Sequence, residues 1–154
     1  MAPWLYWRDI DEHTDMAYDR SNPFARILRG EIPAHRVYED ELTLAFMDVM
    51  PQADGHTLVI PKAEAESILE VPQEALAAAV LTTQRVARAV KMAFDAPGIL
   101  IAQLNGRAAG QSVFHMHFHV LPRREGLDLR FHAREMADPA LLAEHAARIR
   151  AALV

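Results

Sequence analysis

Along this chain the spacing of apolar residues switches between steps of two and steps of three or four, and each switch marks an element. Residues 1–20 show no period. Trp4, Tyr6 and Trp7 sit there among acidic neighbours, and the stretch reads as an extension that packs over the domain or over a partner. Asn22 and Pro23 open a short helix over Phe24–Arg29, and Gly30 stops it. His35–Tyr38 and Leu42–Val49 read as antiparallel strands joined by the turn Glu39-Asp40-Glu41. Pro51–Gly55 is a loop of turn residues, and Thr57–Ile60 is a compact apolar strand closed by Pro61.

Glu74–Phe94 carries the longest run of three-and-four spacing, which predicts a helix with Leu76, Val80, Thr83, Ala87, Val90 and Phe94 as its buried stripe. Pro72 suits its first turn, and Pro97-Gly98 closes it. Ile99–Leu104 is a further strand, followed by the polar loop Asn105–Gly110. A last helix starts after Asp138 with Pro139 in its first turn, its apolar face being Leu142, Ala146, Ile149 and Leu153. Strand pairs with a helix between them predict an α+β fold built on an antiparallel sheet.

The strictest alternation is Gln111–Pro122, where His115, His117 and His119 alternate with Met116, Phe118 and Val120. As a strand it puts the three imidazoles on one face, roughly 6.6–7 Å apart, and the apolar residues on the other, in a core. Aligned imidazoles each need hydrogen-bond partners, so the row marks a site. Three uses stand open: metal ligation, with His56 as a further ligand; nucleophilic or acid–base work; or a satisfied structural row. The loop Asn105–Ser112 adds small residues, an amide, a hydroxyl and backbone N–H groups, which suits a phosphate. Read by itself it is also an ordinary β–β connection.

Composition narrows the setting. The 154 residues suit one domain with its own core, and 51% hydrophobic with 24% charged residues is a globular profile. With no cysteine, disulfides and thiolate metal sites are excluded, and a reducing, cytoplasmic setting is the expectation. A net charge of −5 disfavours nonspecific binding of nucleic acid, and no apolar run spans a bilayer.

The run His115-Met116-His117-Phe118-His119-Val120-Leu121 resembles the His-φ-His-φ-His-φ-φ signature of the histidine triad (HIT) superfamily. Phe24–Pro33, Ala45–Val49, Gly55–Lys62 and Gly110–Ser112 resemble further family segments in the family order, so the resemblance covers residues 22–123. It implies a HIT-like fold: an antiparallel sheet of about five strands, a long helix packed on it and a C-terminal helix. Residues 1–20 would then be an extension, 21–125 the domain, and 126–154 a segment packed on the same domain.

The resemblance also implies a nucleotide hydrolase or nucleotidyl transferase acting at an α-phosphate, with no cofactor or metal. His117 would be the nucleophile and would carry a nucleotidyl group; His119 would donate to a nonbridging phosphate oxygen; His115 and His56 would set tautomer and orientation. Ser112 matches a hydroxyl near the leaving group, with Gly110 and Gln111 beside it and Asn105 on the phosphate side. Asp48 matches the carboxylate that grips the ribose diol, and Phe24, Ile27, Phe46, Val49 and Leu58 an apolar slot for a purine. Without the resemblance, those five are plain core and Asp48 is a solvated strand-end carboxylate. A homodimer through the long helix and a sheet extended across the interface is also implied.

Two departures bear on the substrate. Some bacterial family members hold a structural zinc partly through a Cys-x-x-Cys pair, where this chain has Asn22 and Ala25. Asp48 resembles the Hint-type phosphoramidases, whereas the loop length and the chain beyond Arg123 resemble the dinucleoside polyphosphate hydrolases. Arg107, Arg123 and Arg124 either attract further phosphates or solubilise the rim. The alternatives to a hydrolase are a nucleotide-binding regulatory module with little turnover, and a transferase; the intact His119 favours hydrolysis.

Overall fold

The computed structural model describes residues 17–126 and 135–154. The expectation for Trp4, Tyr6 and Trp7 lies outside the described residues. The elements are α1 (Pro23–Leu28), β1 (Arg36–Glu39), β2 (Thr43–Met47), β3 (Thr57–Pro61), α2 (Gln73–Ala93), β4 (Gly98–Gln103), β5 (Phe118–Arg123) and α3 (Pro139–Ala151). Five strands form one sheet in the order β1-β2-β3-β5-β4, each adjacent pair antiparallel.

Strand alternation gives the sheet two apolar faces. Ala45, Met47, Val59, Phe118 and Val120 point to one face and meet Val86, Ala89 and Val90 of α2 and Leu142, Ala146 and Ile149 of α3. Leu44, Phe46, Leu58 and Ile60 point to the other face, where Phe24 and Ile27 of α1 cover them. Register aligns Phe46 with Leu58 and Leu58 with His119, so these three form a row across β2, β3 and β5. That row becomes the floor of the site.

Helix ends follow the sequence signals. Asn22 caps α1, its Oδ1 accepting from the N–H groups of Phe24 and Ala25 at 3.0 Å each. Asp138 caps α3 by accepting from Ala140 N–H at 2.9 Å. Gly30 follows α1 with φ +74, a conformation that costs glycine nothing.

Two expectations are corrected. The buried face of α2 is Ala75, Ala79, Thr82, Thr83, Val86, Ala89 and Val90, whereas Val80 is 47% exposed. The small residues win because Ala75, Ala79 and Ala89 let the helix backbone lie close to the sheet. The buried hydroxyls are satisfied: Thr83 Oγ1 donates to the Ala79 carbonyl at 2.7 Å, and Thr82 bonds Thr43 at 2.8 Å.

The histidine strand also begins later than its alternation predicts. β5 starts at Phe118, so His115 and His117 precede it and only His119 lies in the ladder. Continuing the β3–β5 register would set Pro61 opposite Met116. Proline has no N–H to give. The Pro61 carbonyl is bonded to His115 Nε2, and the Met116 N–H goes to the Ala65 carbonyl at 2.9 Å. Met116, Phe118 and Val120 nevertheless share the helix-side core, as alternation requires.

Candidate active site

The row Phe46–Leu58–His119 floors a cavity of about 300 Å³, which is large enough for a small-molecule ligand. Phe24 and Ile27 of α1 form an apolar wall together with Ile32 and Ala34 from the following loop. Asp48, Val49, Gly110, Ser112 and His117 complete the polar end and the rim. Phe24 meets both regions: its ring stands edge-on to Phe46 at 5.3 Å and to His117 at 5.0 Å between centroids. An apolar slot therefore abuts the imidazoles directly.

His56, His115 and His117 are each held in one tautomer by a partner that can only donate or only accept, and His119 takes its tautomer from His56. His117 Nδ1 lies 2.6 Å from the His115 carbonyl oxygen. A carbonyl accepts, so Nδ1 carries the proton and Nε2 keeps the lone pair. Burial lowers the His117 pKa against the pull of that carbonyl, so the ring is neutral at physiological pH. Together these give a nucleophilic nitrogen in a ring that lines the cavity.

His119 is set by a relay. The Gln52 N–H donates to His56 Nδ1 at 3.1 Å, which leaves the proton of His56 on Nε2. That Nε2 donates to His119 Nδ1 at 2.9 Å, so neutral His119 carries its proton on Nε2. His119 lines the cavity beside His117, at 4.9 Å between ring centroids. Burial pushes the His56 pKa down to about 3, helped by the neighbouring His119 and His117. His56 is thus neutral, and its 3.5 Å approach to Asp48 Oδ2 is a dipolar contact, not an ion pair.

Asp48 follows β2 directly, and its N–H donates to the His56 carbonyl at 3.0 Å. Its Oδ1 accepts from Met50 N–H at 2.8 Å. Burial pushes the carboxyl up to about 6 in spite of that bond. His115 lies behind the wall, fully buried, with Nε2 donating to the Pro61 carbonyl at 2.8 Å and Nδ1 bonded to the Tyr18 hydroxyl. Burial lowers its pKa as well.

Asn105 and Gln111 stand apart from the cavity lining. Asn105 Oδ1 accepts from Ile68 N–H at 2.8 Å and from Gln103 Nε2 at 2.9 Å. Gln111 Oε1 accepts from Gly106 N–H at 2.7 Å, and its Nε2 donates to the Glu66 and Val113 carbonyls at 2.6 and 3.0 Å. Both amides brace the loop that presents Gly110 and Ser112. Nor do the three arginines line the cavity. Arg124 donates to the Phe94 and Asp95 carbonyls at 2.7 and 3.0 Å, and Arg107 stacks over Phe114 at 5.4 Å.

Two placements for a metal can be tested on donor chemistry. Asp48, His56 and His119 bring ligand atoms within 4.8 Å of one another. An ion there needs the His56 Nε2 lone pair, but the Gln52 N–H puts the proton on that nitrogen. At the other place, Asn22 caps α1 and Ala25 is buried, so neither offers a thiolate. The residues present fit a metal at neither position.

Sequence reasoning missed Ile32, Ala34, Gln52 and Tyr18. The first two carry a readable signal, apolar residues in a loop beside Pro33. Gln52 acts through its backbone N–H, which no side-chain pattern reveals.

Comparison with known proteins agrees with this fold. The HIT domain family matches residues 29–126. A HIT-like protein of Methanocaldococcus jannaschii is 46% identical over 104 residues, covering 67% of this chain and 79% of its own. The adenosine 5'-monophosphoramidase of Saccharomyces cerevisiae is 38% identical over 102 residues, covering 66% and 62%. The crystal structure of a Hit-like protein from Bartonella henselae superposes with a TM-score of 0.84 at 48% identity, covering 89% of this chain and all of that one.

Proposed function

This chain belongs to the HIT domain family, and on that premise we propose that it is a nucleotide hydrolase working through a nucleotidyl-histidine. The substrate is a purine nucleoside phosphoramidate or a dinucleoside polyphosphate, and a nucleoside monophosphate is released. One observation carries the reading: His117 is neutral, keeps its proton on Nδ1 against the His115 carbonyl, and lines the cavity that also holds an apolar slot and Asp48. The phosphoramidase activity of the yeast relative points to the same chemistry.

In the first step His117 Nε2 forms a bond to the α-phosphorus, the bond from phosphorus to the leaving nitrogen or oxygen breaks, and a leaving nitrogen takes up one proton from solvent and departs as the neutral amine. Ser112, which lines the cavity, is read as the hydroxyl near the leaving group. His119, protonated on Nε2, donates to a nonbridging oxygen as charge develops there. In the second step water attacks the same phosphorus, the N–P bond breaks, and one proton is released as neutral His117 returns. Asp48 accepts from the ribose hydroxyls, and Phe24, Ile27, Phe46, Val49 and Leu58 hold the base.

Metal ligation, the competing use of the row, is disfavoured by the proton on His56 Nε2. The exposed apolar residues Val80 and Leu81 of α2 and Ile101 of β4, an edge strand, suit a homodimer that extends the sheet. Light scattering at the mass of two chains is the expected result, and a single-chain mass removes that part. Among the described residues no helix is long and apolar enough to cross a membrane, in keeping with a cytoplasmic setting.

Brief exposure to adenosine phosphoramidate followed by mass measurement tests the mechanism. Wild type is expected to gain one nucleotide on His117, and His117→Ala to gain none and lose turnover by on the order of 10³-fold or more. Full activity in His117→Ala overturns the covalent route.

A further inference from the structure

Tyr18 lies 97 residues before His115 and outside the stretch matched by the family, yet the fold sets it against the triad. Its ring stands edge-on to the His115 imidazole at 5.7 Å between centroids, and its hydroxyl bonds His115 Nδ1. The direction of that bond is forced. His115 Nε2 is committed as donor to the Pro61 carbonyl, so Nδ1 has only its lone pair to offer, and the phenol must donate. The phenol oxygen in turn accepts from Asn22 Nδ2 at 2.8 Å, while Asn22 Oδ1 caps α1. Burial keeps the phenol protonated, and hence a donor, over the working range.

The chain of bonds therefore runs from Asn22 through Tyr18 to the His115 ring, and the His115 carbonyl orients His117. We propose that Tyr18 is a positioning residue for the nucleophile: its hydroxyl locks the His115 ring and thereby the carbonyl that aims His117 Nε2 at phosphorus. The proposal rests on the reading of His117 as nucleophile. Tyr18 does not line the nucleotide cavity, so its effect falls on the chemical step and not on binding.

Two variants test this by different routes. Tyr18→Phe keeps the ring contact and removes only the hydroxyl. Asn22→Asp keeps an oxygen to cap α1 but replaces the donor facing Tyr18 with an acceptor, which turns the phenol away from His115. In both, kcat for adenosine phosphoramidate is expected to fall about three- to tenfold, the effect of one hydrogen bond, with KM unchanged. The ¹⁵N resonance of His115 Nδ1 and the proton resonance of His117 Nδ1–H are expected to move. Unchanged kcat overturns the proposal, as does a loss of kcat with both resonances unmoved or with a matching rise in KM. The resonances need no turnover. If wild type fails to hydrolyse the compound, the hydrolase reading falls, and a fixed His117 resonance in both variants still overturns the role of Tyr18.

Discussion

Asp48 shows how much one buried group can carry. Its carboxyl titrates at about 6, close enough to neutrality to lose its acceptor function under mild acid. His117 is displaced the opposite way by burial, so its lone pair stays available further into acid than that of a free imidazole. Acidification should therefore weaken binding through Asp48. In wild type, KM for adenosine phosphoramidate is expected to rise as pH falls through about 6. Asp48→Asn should start with a raised KM that no longer changes across that window. A kcat that falls in step with the rise in KM would place the titration on the nucleophile instead.

At the level of elements, the C-terminal helix braces the turn before His56 through the Phe94 ring. Gly55, next to His56, has φ +87, and a Cβ built on it would lie 2.6 Å from the Phe94 ring. Phe94 has little room to retreat, because Arg148 of α3 lies over its ring at 4.4 Å and His145 stands edge-on at 5.0 Å. Gly55→Ala therefore combines backbone strain with a steric clash. It should cost on the order of 1–3 kcal/mol in urea unfolding. In a Phe94→Ala background the clash is gone, so the two changes should add to less than their sum. Strict additivity would mean that the ring does not restrain this turn.

Across the whole molecule, the buried histidines make stability depend on pH. His56, His115 and His117 all have folded pKa values below the ordinary 6.5. Below that pH the unfolded chain binds protons that the fold refuses, so stability falls as pH falls. Asp48 acts in reverse, taking a proton in the folded state between about 6 and 3.8 that the unfolded chain binds only lower down. Three groups against one give a net loss. The thermal midpoint is expected to drop from pH 7 to pH 5, and His56→Gln should flatten that slope. A midpoint that holds or rises on acidification contradicts this account.

The sequence by itself determined which side chains share a face. Alternation put Met116, Phe118 and Val120 in the core and His119 on the opposite face, whereas Phe46 and Leu58 read as plain core by pattern alone and joined the site only through the family resemblance. The caps at Asn22 and Asp138 were equally legible, since each acts within its own turn. Only the tertiary structure decided where β5 begins, which small residues of α2 meet the sheet, and that Asn105 and Gln111 brace a loop. It alone decided the tautomers, through the N–H of Gln52, the carbonyl of Pro61 and the hydroxyl of Tyr18. The reason is one of range: periodicity is a local property of the chain, whereas a proton's position on a ring depends on a partner that folding brings from far along it.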